Sequence, residues 1–307
     1  MITITATAES LKQAEQLINT GIDTLYIGEE HFGLRLPTSF TREEQKRLVE
    51  MAHEKGKKVT VAVNAMMHPE KMKEVPAYLT FLKEIKVDQI TVGDTGVIYL
   101  LKKGSYGIPY IYDGETLVTS SRQINFWGKK GAVGAVLARE IPYMELVSMA
   151  PNLDVFGEVL VYGATCIHQS LRPLLQNYLS YVGVEDQVSK ARGFFLSEPK
   201  KEDTHYSIYE DTHGTHIFAN NDVNLTLELD KLVALSSYNH WKLDGIFTPG
   251  ETFVDIAKCF VEIKEAFAAN LVTTEYLEEM NQKVVKLHPK MRGLDTGFLL
   301  LNPEDVK

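Results

Sequence analysis

The feature that most constrains this chain is an alternation of short, β-rich apolar runs with amphipathic helical stretches. The apolar runs fall at residues 2–5, 24–27, 59–63, 89–92, 109–111, 133–137, 155–161 and 243–247. Between most of them lie helical patterns. Residues 10–19 place Leu11, Ala14, Leu17 and Ile18 at helical spacing, with Gly21 as the stop. Residues 41–55 open with Thr41 and Glu44 at capping-box spacing and end at Gly56. The stretches 71–85, 121–130, 143–150 and 251–269 follow the same logic.

Several units share a miniature pattern in which a helix end leads into a buried strand. Gly21-Ile22-Asp23-Thr24-Leu25-Tyr26-Ile27-Gly28 is echoed by Val87-Asp88-Gln89-Ile90-Thr91-Val92-Gly93 and, more loosely, by residues 131–137. Repeated βα units with eight strands predict a (β/α)8 TIM-like barrel. An open Rossmann-like sheet is the rival, but no G-x-G-x-x-G follows the first strand. The rhythm breaks once, between strands seven and eight. There, residues 163–241 hold a β-hairpin pattern: 205–210 alternates, 211–214 turns and 215–218 returns. The expected organisation is a single barrel domain over 1–307, with 163–241 inserted above the barrel mouth.

A chain of 307 residues, 44% apolar and 24% charged, is long enough to bury one such core. No apolar run approaches the roughly 20 residues needed to cross a bilayer. The first residues read as a strand rather than a signal peptide, so a cytoplasmic location with no membrane contact is expected. Two cysteines, Cys166 and Cys259, make no disulfide framework. The net charge of −9 disfavours non-specific attraction to nucleic acid across the whole surface.

In a barrel of this kind, residues just after each strand face the functional mouth. That rule selects Glu29, Arg35, Asn64, Asp94, Asp113, Glu115, Arg139, Glu140, Cys166, His168, Thr248 and Glu251. Carboxylates and arginines so placed suit a polar or anionic small molecule, although each alone also suits a rim ion pair or a cap. Arg139 offers a two-pronged clamp for a carboxylate, or an internal partner for a neighbouring acid. Asn64 offers an amide to a ligand, or a strand-to-loop turn. His213 and His216 are spaced H-x-x-H near Asp211 and His205, but a hairpin need not make them converge, and no metal site is expected. No G-x-S-x-G elbow, phosphate-binding lysine loop or zinc-protease helix is present. Cys166 beside His168 would be a poor dyad, because residues two apart at a strand exit diverge. Cys259 lies among Ala257, Phe260 and Ile263 and reads as core. Lys190, Arg192, Lys200 and Lys201 flank Phe194 and Phe195, a pattern that suits single-stranded nucleic acid or, more economically, a solvated loop with an apolar anchor.

The segment Glu158-Val159-Leu160-Val161-Tyr162-Gly163-Ala164-Thr165-Cys166-Ile167-His168-Gln169-Ser170 resembles the signature of the peptidase U32 family. Leu25-Tyr26-Ile27-Gly28 to Phe32-Gly33-Leu34-Arg35, then Val63-Asn64, then Leu137-Ala138-Arg139-Glu140, resemble other family blocks in order. Lys242-Leu243-Asp244-Gly245 and Arg292-Gly293-Leu294-Asp295-Thr296-Gly297-Phe298 resemble its two later motifs. The likeness spans nearly the whole chain.

The resemblance implies a component of prephenate-dependent tRNA uridine hydroxylation, forming 5-hydroxyuridine at the wobble position together with a longer paralogue. Its alternatives are a collagenase-like peptidase, as the family label says, and a non-catalytic scaffold subunit. The implied partners are the longer paralogue, tRNA and a prephenate-like small anion. The implied substrate-binding set is Arg35, Asn64, Arg139, Glu140, Glu158, Cys166 and His168; the catalytic residues stay unassigned. Many members hold an iron–sulfur cluster on four cysteines, whereas here only Cys166 stands at a signature position and Pro173 occupies the next. No cofactor is therefore expected in this chain alone.

Overall fold

The computed structural model describes residues 1–114, 117–184 and 192–306. Glu115 and Lys190, singled out above, lie outside the described residues. The strands are β1 (Thr3–Thr7), β2 (Thr24–Gly28), β3 (Lys58–Ala62), β4 (Gln89–Val92), β5 (Tyr110–Tyr112), β6 (Ala132–Val136), β7 (Phe156–Ser170), β8 (Phe194–Glu198), β9 (Lys201–Asp211), β10 (Gly214–Asn224), β11 (His240–Leu243) and β12 (Gly293–Asp295). The helices are α1 (Leu11–Thr20), α2 (Arg42–Glu54), α3 (Pro69–Met72), α4 (Val75–Glu84), α5 (Thr95–Lys103), α6 (Ser121–Lys129), α7 (Tyr143–Met149), α8 (Leu174–Tyr181), α9 (Leu229–Ala234), α10 (Gly250–Ala268) and α11 (Thr274–Leu287). Strands β1 to β7 pair in parallel in sequence order, and β11 pairs in parallel with both β7 and β1, which closes an eight-stranded barrel. The TIM-like architecture read from the sequence is the observed one.

Strand composition sets the two faces of the barrel wall. Successive side chains of a strand point to opposite faces. Ile4 and Ala6, Leu25 and Ile27, Val59 and Val61, Ile90 and Val92 enter the main apolar core with Leu17, Leu48, Leu79 and Phe260 from the helices. The alternate positions carry Thr5, Tyr26, Thr60 and Thr91, all buried, and these fill the lumen. They satisfy one another there: Gln89 Nε2 donates to Thr60 Oγ1 at 2.8 Å, and the Tyr26 and Thr91 hydroxyls lie 2.9 Å apart. A lumen lined by hydroxyls instead of branched apolar chains departs from the usual barrel filling.

Local signals fix the helix ends. Ser10 Oγ accepts from Gln13 N at 3.1 Å to start α1, and Gly21 ends it in the left-handed region at φ 106°. The Thr41–Glu44 capping box opens α2. The eighth strand departs from expectation: residues 243–247 read as its apolar run, but the strand is His240–Leu243. Lys242 caused the misplacement. A charged residue in mid-strand looks like an end to burial, yet Lys242 is a lumen residue with Trp241 and Leu243 packed outward in the core.

The region after β7 grows out of the barrel wall. The first half of β7 pairs with β6 and β11, and its distal half pairs antiparallel with β10, from Asn224↔Tyr162 to Thr215↔Ser170. Strands β10, β9 and β8 continue the sheet as antiparallel neighbours, with the β9–β10 turn at residues 211–214. Gly214 holds φ 94° in that turn, and a Cβ there would strike the Ser170 carbonyl. The chain then returns through α9 to the barrel, where Leu229, Leu232 and Tyr238 join the main core.

A buried ion pair ties this extension to the C-terminal segment. Arg292 Nε and Nη2 donate to Asp222 Oδ1 at 2.8 and 2.6 Å, Nη2 donates to the Ala219 carbonyl at 2.9 Å, and Nη1 donates to Ser207 Oγ. The guanidinium also stacks 4.6 Å from the Phe247 ring centroid. Asp222 is fully buried, and β12 pairs with β10 beside it. Truncating one partner would strand a buried charge, at a cost of about 3–5 kcal/mol. Arg292→Ala is therefore expected to lower the urea unfolding midpoint by that equivalent, and Arg292→Lys to recover little because lysine lacks the planar fork. A midpoint unchanged in Arg292→Ala would contradict the clamp.

Candidate functional site

A cavity of about 80 Å³ opens at the C-terminal end of the barrel strands. That is room for several waters or a small organic molecule, since one water needs about 10–15 Å³ by the same measure. Its floor comes from lumen positions and its rim from the strand-end loops. Arg35, Asn64, Asp113, Arg139, Glu140, Glu158 and Cys166 all line it. The topology thus brings six of the seven proposed binding residues together. The seventh, His168, lies farther along β7 on an exposed face and does not line the cavity.

The other strand-end residues have separate work. Asp94 caps α5, accepting from Gly96 N at 2.7 Å, and also accepts from Met67 N at 3.1 Å. Glu29 lies 3.5 Å from Arg42, and Glu251 pairs with Lys12 at 3.3 Å on the surface. Thr248 is buried against the Tyr162 hydroxyl at 3.0 Å, and that hydroxyl also meets His288 Nδ1 at 2.8 Å.

On the floor, Asn64 Nδ2 donates to Asp113 Oδ2 at 2.7 Å while Asn64 Oδ1 accepts from Leu34 N at 2.9 Å. Asn64 is therefore a buried bracket between two loops, with its amide locked. Beside it stand Thr7, Tyr26, Lys242 and Asp244, which the strand-end rule passed over. Lys242 is 8% exposed, and its ammonium sits 2.9 Å from the centroid of the Tyr26 ring. Among the described residues it makes no hydrogen bond and no ion pair. The pairing Thr5↔Lys242 across β1 and β11 puts it in the same lumen layer as the threonines. Strand alternation around Trp241 and Leu243 was the signal that could have found it.

Burial dominates the electrostatics of this floor. It pushes the Lys242 ammonium down to about 8, against the pull of Glu158, Asp244 and Asp113. It pushes the Glu158 carboxyl up, against the pull of Lys242 and with a further push from Asp113. The Tyr26 phenol is raised far above its ordinary range by the same burial. Both members of the Lys242–Glu158 couple thus move toward neutrality. At the rim, half-buried Arg139 donates from Nη1 to the Ala164 carbonyl at 2.8 Å, and Arg35 donates from Nη1 to Gln169 Oε1 at 2.7 Å. Arg35 holds φ 50°, and Gly163 holds φ 126° where a Cβ would strike the Asp244 carbonyl. Two crowded turns therefore set the cavity rim.

Other candidate chemistry disperses. Cys166 Sγ contacts the His168 backbone carbonyl at 3.4 Å, not its ring, so no thiol–imidazole dyad forms. Cys259 is buried in α10 and its thiol is raised by burial. Two thiols so separated do not fit a four-thiolate cluster. His213 Nε2 meets the Glu30 carbonyl, whereas His216 Nε2 lies 2.8 Å from Asp211 Oδ1. Among the described residues no group of three or more His, Cys, Asp or Glu side chains is placed to hold a metal ion. The basic cluster of the extension is turned inward at Arg192, which donates to the Pro37 and Leu36 carbonyls and stacks 4.9 Å from Tyr209. Lys201 is spent on Glu198 at 3.5 Å.

The floor yields a sign-resolved expectation. Lys242 releases its proton at about 8 in the folded state against 10.5 unfolded, so the unfolded state binds more protons between those values. Stability from this group therefore rises with pH across that window, and its burial cost is complete below it. Lys242→Met is expected to melt above the parent at pH 7, with the margin shrinking toward pH 10.5. A margin independent of pH in calorimetric melts would contradict the assignment.

Comparison with known proteins bears on the family and the fold. The chain is 35% identical over 302 residues to tRNA hydroxylation protein P2 of Bacillus subtilis, covering 97% of this chain and 96% of that protein. It is 30% identical over 176 residues to tRNA hydroxylation protein P1 of the same organism, covering 57% of this chain and 42% of that longer protein. The solved structure of a U32 peptidase shares the fold, with a TM-score of 0.52 at 15% identity over 82% of this chain and 94% of that one. No helix among the described residues is long and apolar enough to cross a membrane. The profile of peptidase family U32 matches residues 9–307, and the chain belongs to that family.

Proposed function

We propose that this chain is a component of an RNA hydroxylation system that acts on tRNA uridine, with a small carboxylate such as prephenate bound in the barrel cavity. The observation that carries the proposal is the convergence of Arg35, Arg139 and Lys242 with the Asn64–Asp113 bracket on one enclosed floor and rim, in a chain that aligns along its whole length with a tRNA hydroxylation protein. Arg139 supplies the fork for the carboxylate, Lys242 a second positive end, and Glu158, Glu140 and Asn64 shape the polar wall. The protein works in the cytoplasm with its tRNA substrate.

The partner is a longer family member. Helix α8 supports this, because only Leu175 on it is buried while Tyr178 and Tyr181 are 61% and 89% exposed. Leu171 and Leu174, at the start of the helix, are exposed as well and add to this apolar surface. A peptidase role finds no nucleophile paired with a base among the cavity residues, so the proposal assigns the cavity to binding and RNA modification.

Deleting the gene is expected to remove 5-hydroxyuridine and its derivatives from tRNA digests analysed by nucleoside mass spectrometry. The parent gene restores them. Arg139→Ala is expected to lower the restored level by about tenfold or more, the equivalent of one lost charge-assisted contact. Unchanged nucleosides after deletion would overturn the proposal, and full restoration by both Arg139→Ala and Asn64→Ala would reduce the barrel to a scaffold.

A further inference from the structure

The lysine on the cavity floor is unusual in what it lacks. A buried ammonium ordinarily takes a carboxylate or several oxygens around it. Lys242 has the face of Tyr26 on one side and the cavity on the other. Nearby acids are otherwise engaged: Asp113 accepts from Asn64, and Asp244 Oδ1 accepts from Ile246 N at 3.0 Å. Glu158 accepts from the Thr5 hydroxyl and approaches Lys242 without forming an ion pair with it. An amine so placed is open toward whatever enters.

We propose that Lys242 is a carbonyl-binding amine, and that the cavity takes a small 2-oxo acid whose ketone carbon condenses with Lys242 Nζ while Arg139 holds its carboxylate. The inference rests on the reading of the cavity as a small-carboxylate site and narrows it to one ligand chemistry. Four features favour this ligand. The amine faces the cavity without a hydrogen bond or ion pair among the described residues, so its lone pair is available once the proton leaves. Arg139 lines the same cavity from the rim, and a 2-oxo acid carries its carboxylate one bond from the electrophilic carbon. Glu158, 3% exposed, stands on the floor beside the amine as a proton source. The Tyr26 ring covers one side of the amine, and Lys242 also lines the cavity.

The step balances without any co-reactant. The neutral amine donates its lone pair to the carbonyl carbon, and the carbonyl oxygen takes a proton from the Glu158 carboxyl. The nitrogen then returns a proton to the Glu158 carboxylate. Glu158 gives that proton to the resulting hydroxyl, which leaves as water while the nitrogen lone pair closes the C=N bond. One neutral amine, one ketone and one Glu158 carboxyl become one protonated imine, one water and one Glu158 carboxylate, and nothing is oxidised or reduced. The low position of the Lys242 ammonium, about 8, supplies a working fraction of free amine near neutral pH.

Trapping tests this on the unaltered full-length chain. The purified protein is incubated with pyruvate or phenylpyruvate and sodium cyanoborohydride, digested, and mapped by mass spectrometry. The expected result is one reduced adduct on the Lys242 peptide, missing in Lys242→Arg and weakened about tenfold in Arg139→Ala, in line with loss of one charged contact. Absence of the adduct at Lys242, or labelling no greater there than at surface lysines such as Lys12 and Lys102, would overturn the proposal. The two readings fail separately. An untrapped Lys242 in a protein that still restores tRNA hydroxylation sinks only the imine, whereas a trapped Lys242 in a protein whose deletion leaves tRNA unchanged sinks only the hydroxylation assignment.

Discussion

A single buried cation organises the molecule. Lys242 rises from β11 into a closed barrel and rests against the Tyr26 ring, 2.9 Å from its centroid. Taking an ammonium out of water is costly, and a ring face returns only part of that cost. The rest of the lumen is polar: hydroxyls from Thr5, Thr60 and Thr91 stand where apolar chains ordinarily fill a barrel, and Glu158 stands close enough to bias the charge. A fold selected only for stability would put an apolar side chain at this position. On the proposed reading, a ligand in the lumen completes the electrostatics.

The extension gives that lumen a rim. Because β7 runs on for fifteen residues, the strand that carries Glu158 on the floor also carries Cys166 at the mouth. Arg139 reaches over to the Ala164 carbonyl of the same strand, and Arg35 reaches Gln169 farther along it. The Arg292–Asp222 clamp holds the neighbouring β10 to the C-terminal segment, so the rim is braced from behind. Residues distant in sequence are thereby fixed around one opening. Rigid positioning of this kind is what binding a small polar molecule requires.

Much of this was legible in the chain itself. Alternation of strand and helix patterns located the first six barrel strands to within two residues and the start of the seventh, whose run on to Ser170 it missed, and the rule that function sits after each strand picked out Arg35, Asn64, Asp113, Arg139, Glu140 and Cys166. The same rule could not see Tyr26 and Lys242, which lie within strands and point inward. Lys242 was further hidden because a lysine between Trp241 and Leu243 looks like a strand boundary, and the eighth strand was placed three residues late. Arg192 and Lys201 resembled a nucleic-acid patch in one dimension, but the fold spends them on backbone carbonyls and on Glu198. His168 follows Cys166 in the signature, yet strand geometry sends it out to solvent. Long-range pairing, not local pattern, decided each of these cases.

The account stands on the protonation behaviour of one amine, which nuclear magnetic resonance can follow directly. With lysine labelled at the ε carbon and the Lys242 signal assigned by its loss in Lys242→Met, a titration of the free protein should show a midpoint near 8. A midpoint at about 10.4, the value of a lysine in water, would mean that Lys242 is solvated or firmly paired. The lumen would then be an ordinary barrel interior, and the site built upon it would fall.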